Sequence, residues 1–336
     1  MEIKFGVSFR PESLDQVIDW CQLAEKLGYS RIGISDSVAL YREPWVTLTT
    51  IGQKTKSIPL GIWMTNPFLR HPAVTAGAAA TLNELIPGRI CIGIATGNAG
   101  VYNLGYKASS VNHLREYVKA VRSLLHNGKT QYMGRDAIFP WSNSDIPIYI
   151  AAHGSKALHL AGEIADGVLI GLGISEDVIS SCLEVLATGA KKAGRSIDDI
   201  DIWWITHREV NSIPGTAQKL VSGMVADNAI LLSRFTLDGK FIPDSYKDSI
   251  IKLGQSYDLT THGHSNTLNN YGEIAENLGI AQYLVKRFPL AGTPEECMVQ
   301  INTAAQAGAS QFMVSLPGPN RPQKLQDWHD LVMTQI

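Results

Sequence analysis

The feature that most constrains this chain is a rhythm in which short apolar, β-branched runs are each followed by a stretch of helical period. Strand-then-helix order makes successive strands parallel, because each helix packs on the sheet while carrying the chain back, with right-handed crossovers. The first unit reads as a strand over Ile3–Phe9 and a helix from near Pro11, with Leu14, Val17, Ile18, Cys21, Leu23, Ala24 and Leu27 at helical spacing and Gly28 as its stop. The spacing predicts further units at Arg31–Ser35 with Trp45–Lys54, Ile58–Thr65 with Ala73–Leu85, and Ile90–Ala95 with Ser110–His126. The fourth helix is delayed by the loop Thr96–Lys107, and a hairpin-like excursion over Thr130–Ser144 precedes the fifth strand. Units at Pro147–Ala151 with Ser155–Ile164 and Gly167–Ile170 with Glu176–Ala193 follow, then a seventh strand over Asp201–Thr206. Residues 211–290 break the rhythm, which resumes with a helix at Pro294–Ala307, an eighth strand at Gln311–Ser315 and a last helix at Pro322–Met333. Eight units with one insertion after strand 7 describe a (β/α)8 TIM barrel of the α/β class better than an open doubly wound sheet, with residues 1–336 as one domain.

Composition agrees with a large packed core: of 336 residues 45% are hydrophobic and 18% charged, which no disordered chain approaches. A net charge of −2 gives no general attraction to nucleic acid or to an anionic membrane. No run reaches the roughly 18 apolar residues of a membrane span, and the first residues lack a signal-peptide pattern, so a cytoplasmic protein is expected. Cys21, Cys91, Cys182 and Cys297 lie far apart among apolar residues without a C-x-x-C, which reads as reduced, buried thiols.

In such a barrel the residues just after each strand build the active site. They include Ser8-Phe9-Arg10, Asp36-Ser37, Met64-Thr65-Asn66-Pro67, Thr96-Gly97-Asn98, Ala152-His153-Gly154-Ser155, Gly171-Leu172-Gly173 and Thr206-His207-Arg208. Loops rich in Gly, Ser, Thr and Asn offer backbone N–H groups and small hydroxyls, which suit a phosphate-bearing cofactor. Ala151-Ala152-His153-Gly154-Ser155 opens a helix, so it reads either as an anion site at a positive helix end or as an ordinary turn with a Ser cap. Asp36 reads equally as a proton-handling carboxylate or as a cap. Tyr41, Trp45, Trp63, Phe68 and Tyr102 lie in or beside these loops, either as pocket walls or as packing. The run Gly93–Gly100 has the wrong spacing for G-x-G-x-x-G, and the phosphate-loop, nucleophile-elbow and zincin motifs are missing. His262 and His264 form an H-x-H that reads as a solvated loop, so no metal is expected.

The third unit, Leu60-Gly61-Ile62-Trp63-Met64-Thr65-Asn66-Pro67 with Arg70-His71-Pro72-Ala73 and Ala80-Thr81-Leu82-Asn83-Glu84-Leu85, resembles the luciferase-like superfamily. The likeness is to its deazaflavin-dependent reductase branch. Ile94-Ala95-Thr96-Gly97-Asn98, Pro147–Gly154, Ala161–Gly167 and Ala291-Gly292-Thr293-Pro294-Glu295 keep the same order, and only residues 211–290 lie outside the likeness. The resemblance implies coenzyme F420 or FMN at the barrel mouth, a non-prolyl cis peptide at Trp63–Met64 behind the ring, and a homodimer. By the same carry-over, Asp36, Thr65 and Asn66 flank the ring. Thr96, Gly97 and Asn98, the run Ala151, Ala152, His153, Gly154 and Ser155, and Ile170 with Gly171 bind its edge, ribityl chain and phosphate. Asp36 then manages a proton, while Ser8, Ser37, Tyr41 and Tyr102 border a small-molecule substrate.

Two departures narrow this. The reductase branch often carries an acidic residue where this chain has Ser8 and a histidine where it has Ser37, which implies a paralogous activity on another substrate. The expected reaction is hydride transfer between a reduced deazaflavin or flavin and an organic substrate. An FMNH2-dependent monooxygenase and a non-catalytic cofactor-binding barrel are the alternatives.

Overall fold

The computed structural model describes residues 2–257, 265–316 and 318–336. Its centre is a closed ring of parallel strands: β1 (Lys4–Phe9), β2 (Arg31–Ile34), β3 (Leu60–Thr65), β4 (Ile90–Ile94), β7 (Ile148–Ala152), β8 (Gly167–Ile170), β9 (Asp201–Val210) and β11 (Gln311–Ser315). The pairings β8–β9 and β11–β1 shut the ring, which excludes the open sheet. Helices α1 (Leu14–Lys26), α2 (Pro44–Lys54), α3 (Pro72–Leu85), α5 (Val111–Asn127), α6 (Ser155–Ile164), α7 (Glu176–Lys192), α12 (Pro294–Gln306) and α13 (Arg321–Leu331) form the outer layer. Strands covered on both faces need apolar residues at every position, and Ile32, Ile34, Ile92, Ile94, Ile148, Ile150 and Val168 are all fully buried. The four cysteines are free and buried.

Most predicted elements fall within a few residues of their expected bounds. The loop after β4 contains a short helix, α4 (Ala99–Tyr102), and the excursion before β7 is an antiparallel hairpin, β5 (Lys129–Tyr132) with β6 (Arg135–Ile138). Met133 and Gly134 both take positive φ, the two-residue turn that matches strand twist. The seventh strand is longer than expected. It runs to Val210, and Arg208–Val210 pair with a short strand, β10 (Leu290–Gly292). Between β9 and β10 the insertion carries α8 (Thr216–Ser233), α9 (Asp244–Gln255), α10 (Ser265–Asn277) and α11 (Ala281–Arg287). His262 and His264 lie outside the described residues.

The barrel interior is filled by Trp63, Cys91, Tyr149, Leu169, Trp203 and Met313 around one ion pair. The Arg31 guanidinium sits 5.6, 4.8 and 4.9 Å from the ring centroids of Trp63, Tyr149 and Trp203 and 3.2 Å from Asp201. Asp201 also accepts from Tyr149 Oη (2.5 Å), Trp203 Nε1 (2.9 Å) and Gln311 Nε2 (2.6 Å). The Asp201 carboxylate is thus well supplied with donors, whereas Arg31 Nε and Nη1 are buried with no hydrogen-bond partner among the described residues and rest on the aromatic faces instead. The Trp63 indole lies directly over Gly61, where an added Cβ would collide with its Nε1 and come 2.7 Å from Cys91 Sγ. Gly61→Ala is therefore expected to cost about 1–3 kcal/mol by overpacking, measured as a lower urea midpoint; unchanged stability would show that the plug can yield.

Candidate active site

The C-terminal ends of the barrel strands enclose a cavity of about 170 Å³. Trp63, Met64, Leu169, Ile205 and Met313 give it apolar walls, while Ser8, Arg10, Ser35, Ser37, Tyr41, Ser315 and Arg321 supply hydroxyls and positive charge. Of the residues singled out from sequence, Ser8, Ser37 and Tyr41, expected at the substrate, and Trp63 and Met64, expected at the cofactor, line this one cavity. The Trp63–Met64 peptide is cis, as the resemblance implied, and the β3–β4 register shifts between Ile62 and Thr65.

Asp36, Thr65 and Asn66 are buried beside the cavity and are not among the residues lining it. Asp36 has no exposed side-chain surface, and both its oxygens face Arg70, at 2.5 and 3.4 Å. Burial, the largest influence, pushes its carboxyl above the usual range against the opposing pull of Arg70. Arg70 also pairs with Glu43 at 2.6 Å, and Glu43 caps α2 by accepting from the Val46 N–H at 2.8 Å. Asn66 Oδ1 accepts the N–H groups of Phe68 and Leu69, which shapes the turn after β3. These residues are tied into the walls of the loops that carry the cavity.

The fourth and fifth loops lie toward the insertion. Gly97 takes φ 104°, and Asn98 starts α4 and accepts a hydrogen bond from Arg234, whose guanidinium lies 5.0 Å from the Tyr102 ring. Tyr102 therefore packs under Arg234, off the cavity lining. Ser155 is the first residue of α6 and makes no cap; Gly154 holds the cap position without a side chain. That removes the Ser-cap reading of this turn. The Ser155 N–H donates to Gly239 O at 3.1 Å. The His153 imidazole covers Gly171, where a Cβ would collide with its Nε2, and Gly171 N–H donates back to Ala152 O at 3.0 Å.

Arg10, Arg70, His207, Ser315, Arg234 and Lys240 join the site; Arg10 and His207 lay in strand-end runs without a role of their own, and the other four were given no role from sequence. The first four follow strand ends or their loops, where the positional rule points. Arg234 and Lys240 come from the insertion, which has no readable period. The Ser315 hydroxyl and His207 Nδ1 are 2.9 Å apart, and the His207 imidazole is buried. Among those residues no group of three or more His, Cys, Asp or Glu could hold a metal ion, and no helix is long and apolar enough to cross a membrane.

A parallel barrel with a cavity at its C-terminal mouth is an architecture shared by many enzymes, and comparison with known proteins narrows it. The chain belongs to the luciferase-like monooxygenase family, whose model matches residues 3–311. It is 28% identical to a 5,10-methylenetetrahydromethanopterin reductase of Methanolobus tindarius, over 96% of this chain and 97% of that protein. An F420-dependent glucose-6-phosphate dehydrogenase of Nakamurella multipartita is 30% identical over 59% of this chain and 65% of its own length. The solved coenzyme F420-dependent tetrahydromethanopterin reductase of Methanopyrus kandleri superposes with a TM-score of 0.81 and 23% identity, over 100% of this chain and 99% of that one.

Burial pushes the His153 and His207 imidazoles down to about 4, helped at His153 by Lys240 and Arg234 and at His207 by Arg10. In the unfolded chain they protonate near about 6.5, so their contribution to stability is complete above that pH and is lost as pH falls toward 4. The urea midpoint is expected to drop across that window and to drop less steeply in His207→Gln; an identical slope in the variant would contradict a buried neutral imidazole.

Proposed function

We propose that this protein is an oxidoreductase that holds coenzyme F420 or FMN at the barrel mouth and transfers hydride between it and a small organic substrate. The observation that carries the reading is the cavity, with apolar walls from Trp63 and Met64 beside hydroxyls and Arg10, in a chain aligned end to end with a methylenetetrahydromethanopterin reductase. The residues fit a flat, polar-edged ring with a phosphate tail. Met64 and Leu169 offer apolar surface to a ring face, and His153 with its Gly171 backing stands at the start of α6, where positive helix-end charge favours a phosphate.

When bound, the reduced ring supplies the hydride. The chain's own residues orient and shield. Met64, Ile205 and Met313 exclude water from one side, and Ser8, Ser37, Tyr41 and Ser315 hold the substrate's oxygens. His207, neutral, fixes the Ser315 hydroxyl. Asp36 enters as a positioning residue that acts through Arg70 on the loops after β2 and β3. With Ser8 and Ser37 in place of an acid and a histidine, the substrate is assigned as something other than a methanopterin. The protein is further read as a cytoplasmic homodimer working as one domain, with exposed Val46 and Val74 on α2 and α3 as surface for a second copy.

Titration of the purified protein with F420 and FMN, followed by oxygen uptake with each reduced cofactor, tests this. Micromolar F420 binding without oxygen uptake is expected, and Asp36→Asn should weaken it about tenfold by loosening the Arg70-held loops. Substrate-dependent oxygen uptake with FMNH2 would establish a monooxygenase instead, and binding of neither cofactor would leave a non-catalytic barrel.

A further inference from the structure

We propose that the insertion, and not the barrel alone, recognises the cofactor's phosphate, through a fixed positive wall made by Arg234 and Lys240. This rests on the flavin-type reading above and deepens it, because the barrel loops supply mainly backbone groups at that end.

The segment from Arg234 to Phe241 leaves the C-terminus of α8 and passes across the start of α6. Its closest approach is backbone on backbone. Ser155 N–H donates to Gly239 O, Gly239 takes φ 68°, and a Cβ there would collide with the Ser155 side chain. Lys240 is buried, and its Nζ donates to the carbonyls of Leu231, Leu232 and Arg234 at 3.0, 2.9 and 2.6 Å. Those bonds use all three ammonium N–H groups, so Lys240 acts as a fixed charge rather than a direct ligand. Its stem lies against the fifth loop: a Cβ on Gly154 would sit 3.9 Å from Cε. No carboxylate of the described residues lies within ion-pair distance of Lys240. The Arg234 guanidinium donates to Asn98 Oδ1 and rests on the faces of Tyr102 and Tyr257 at 5.0 and 5.4 Å, with Asp227 among the charges near it.

The segment is not a loose flap. Arg287, fully buried, donates from Nη2 to Lys240 O (2.6 Å), from Nη1 to Phe241 O (2.7 Å) and from Nε to Leu172 O (2.8 Å). One guanidinium thus joins the insertion to the loop that follows Ile170–Gly171. The charges of Lys240 and Arg234 both bear on His153, and Lys240 lies against Gly154 at the positive end of α6. A buried ammonium answered only by carbonyls is costly to desolvate, and a phosphate dianion at this point would supply the missing negative charge.

Paired ligands that differ only in the phosphate test this: FMN against riboflavin, or F420 against its phosphate-free deazaflavin chromophore, each titrated by fluorescence. Arg234→Gln and Lys240→Met are expected to weaken the phosphorylated ligand by about tenfold or more while moving the phosphate-free ligand by no more than about twofold. Arg234→Lys should keep most of the phosphate-specific affinity. Lys219→Met, on an exposed part of α8, should change nothing. Because Lys240 is buried, the Arg234 pair of variants decides the matter if Lys240→Met does not fold. Equal losses for both ligands, or unaltered affinity for the phosphorylated one in Arg234→Gln, would overturn the assignment. Failure of the unaltered protein to bind any of the four would instead remove the cofactor reading, and this inference with it.

Discussion

The Arg31–Asp201 pair inside the barrel is the interaction on which the rest depends. A ring of eight parallel strands has an interior that side chains must fill, and here the filling is a cation held against the faces of Trp63, Tyr149 and Trp203 with its carboxylate saturated by Tyr149, Trp203 and Gln311. Such a pair adds little net stability, since desolvation offsets most of its attraction. Its consequence is positional. Trp63 is fixed between Gly61 and Arg31, so Met64, the next residue, is presented to the cavity from a point that cannot drift.

Above that plug, positioning passes outward through further arginines. Asp36, Arg70 and Glu43 join the loops after β2 and β3 to the start of α2, and Arg287 joins the insertion to the loop after β8. The cavity is therefore framed on one side by barrel loops and approached on the other by a segment the barrel does not need in order to close. Shared fold and divergent chemistry are compatible on this plan: the plug and the ring are fixed, while Ser8, Ser37, Tyr41 and the insertion are free to set the substrate.

Much of this was legible in the sequence because strands buried on both faces read as unbroken apolar runs, and because strand ends mark the mouth of a barrel. Ser8, Ser37 and Met64 were placed by that rule, while Tyr41 and Trp63 were noticed as aromatics beside the same loops. The end of β9 was not legible. His207 and Arg208 look like loop residues after a strand ending at Thr206, and all three are buried where distant partners meet them: Phe288 O for the Thr206 hydroxyl, Ser315 for His207, and Tyr29 with the Trp328 face for Arg208. Asp36 was found by position, but its commitment to Arg70 depends on a contact across 34 residues that no local pattern encodes. Arg234 and Lys240 sit in a segment without period, where charge alone gives no direction.

The central claim is that a flavin-type ring occupies the mouth of this barrel against Met64, with its phosphate at the start of α6. A crystal structure of the protein soaked with F420 or FMN tests it most directly. The account predicts ring density over Met64 and phosphate density beside His153 and Ser155, within reach of the Arg234 and Lys240 charges. A well-ordered cofactor bound elsewhere, or a ring at the mouth whose phosphate points away from α6, would contradict it.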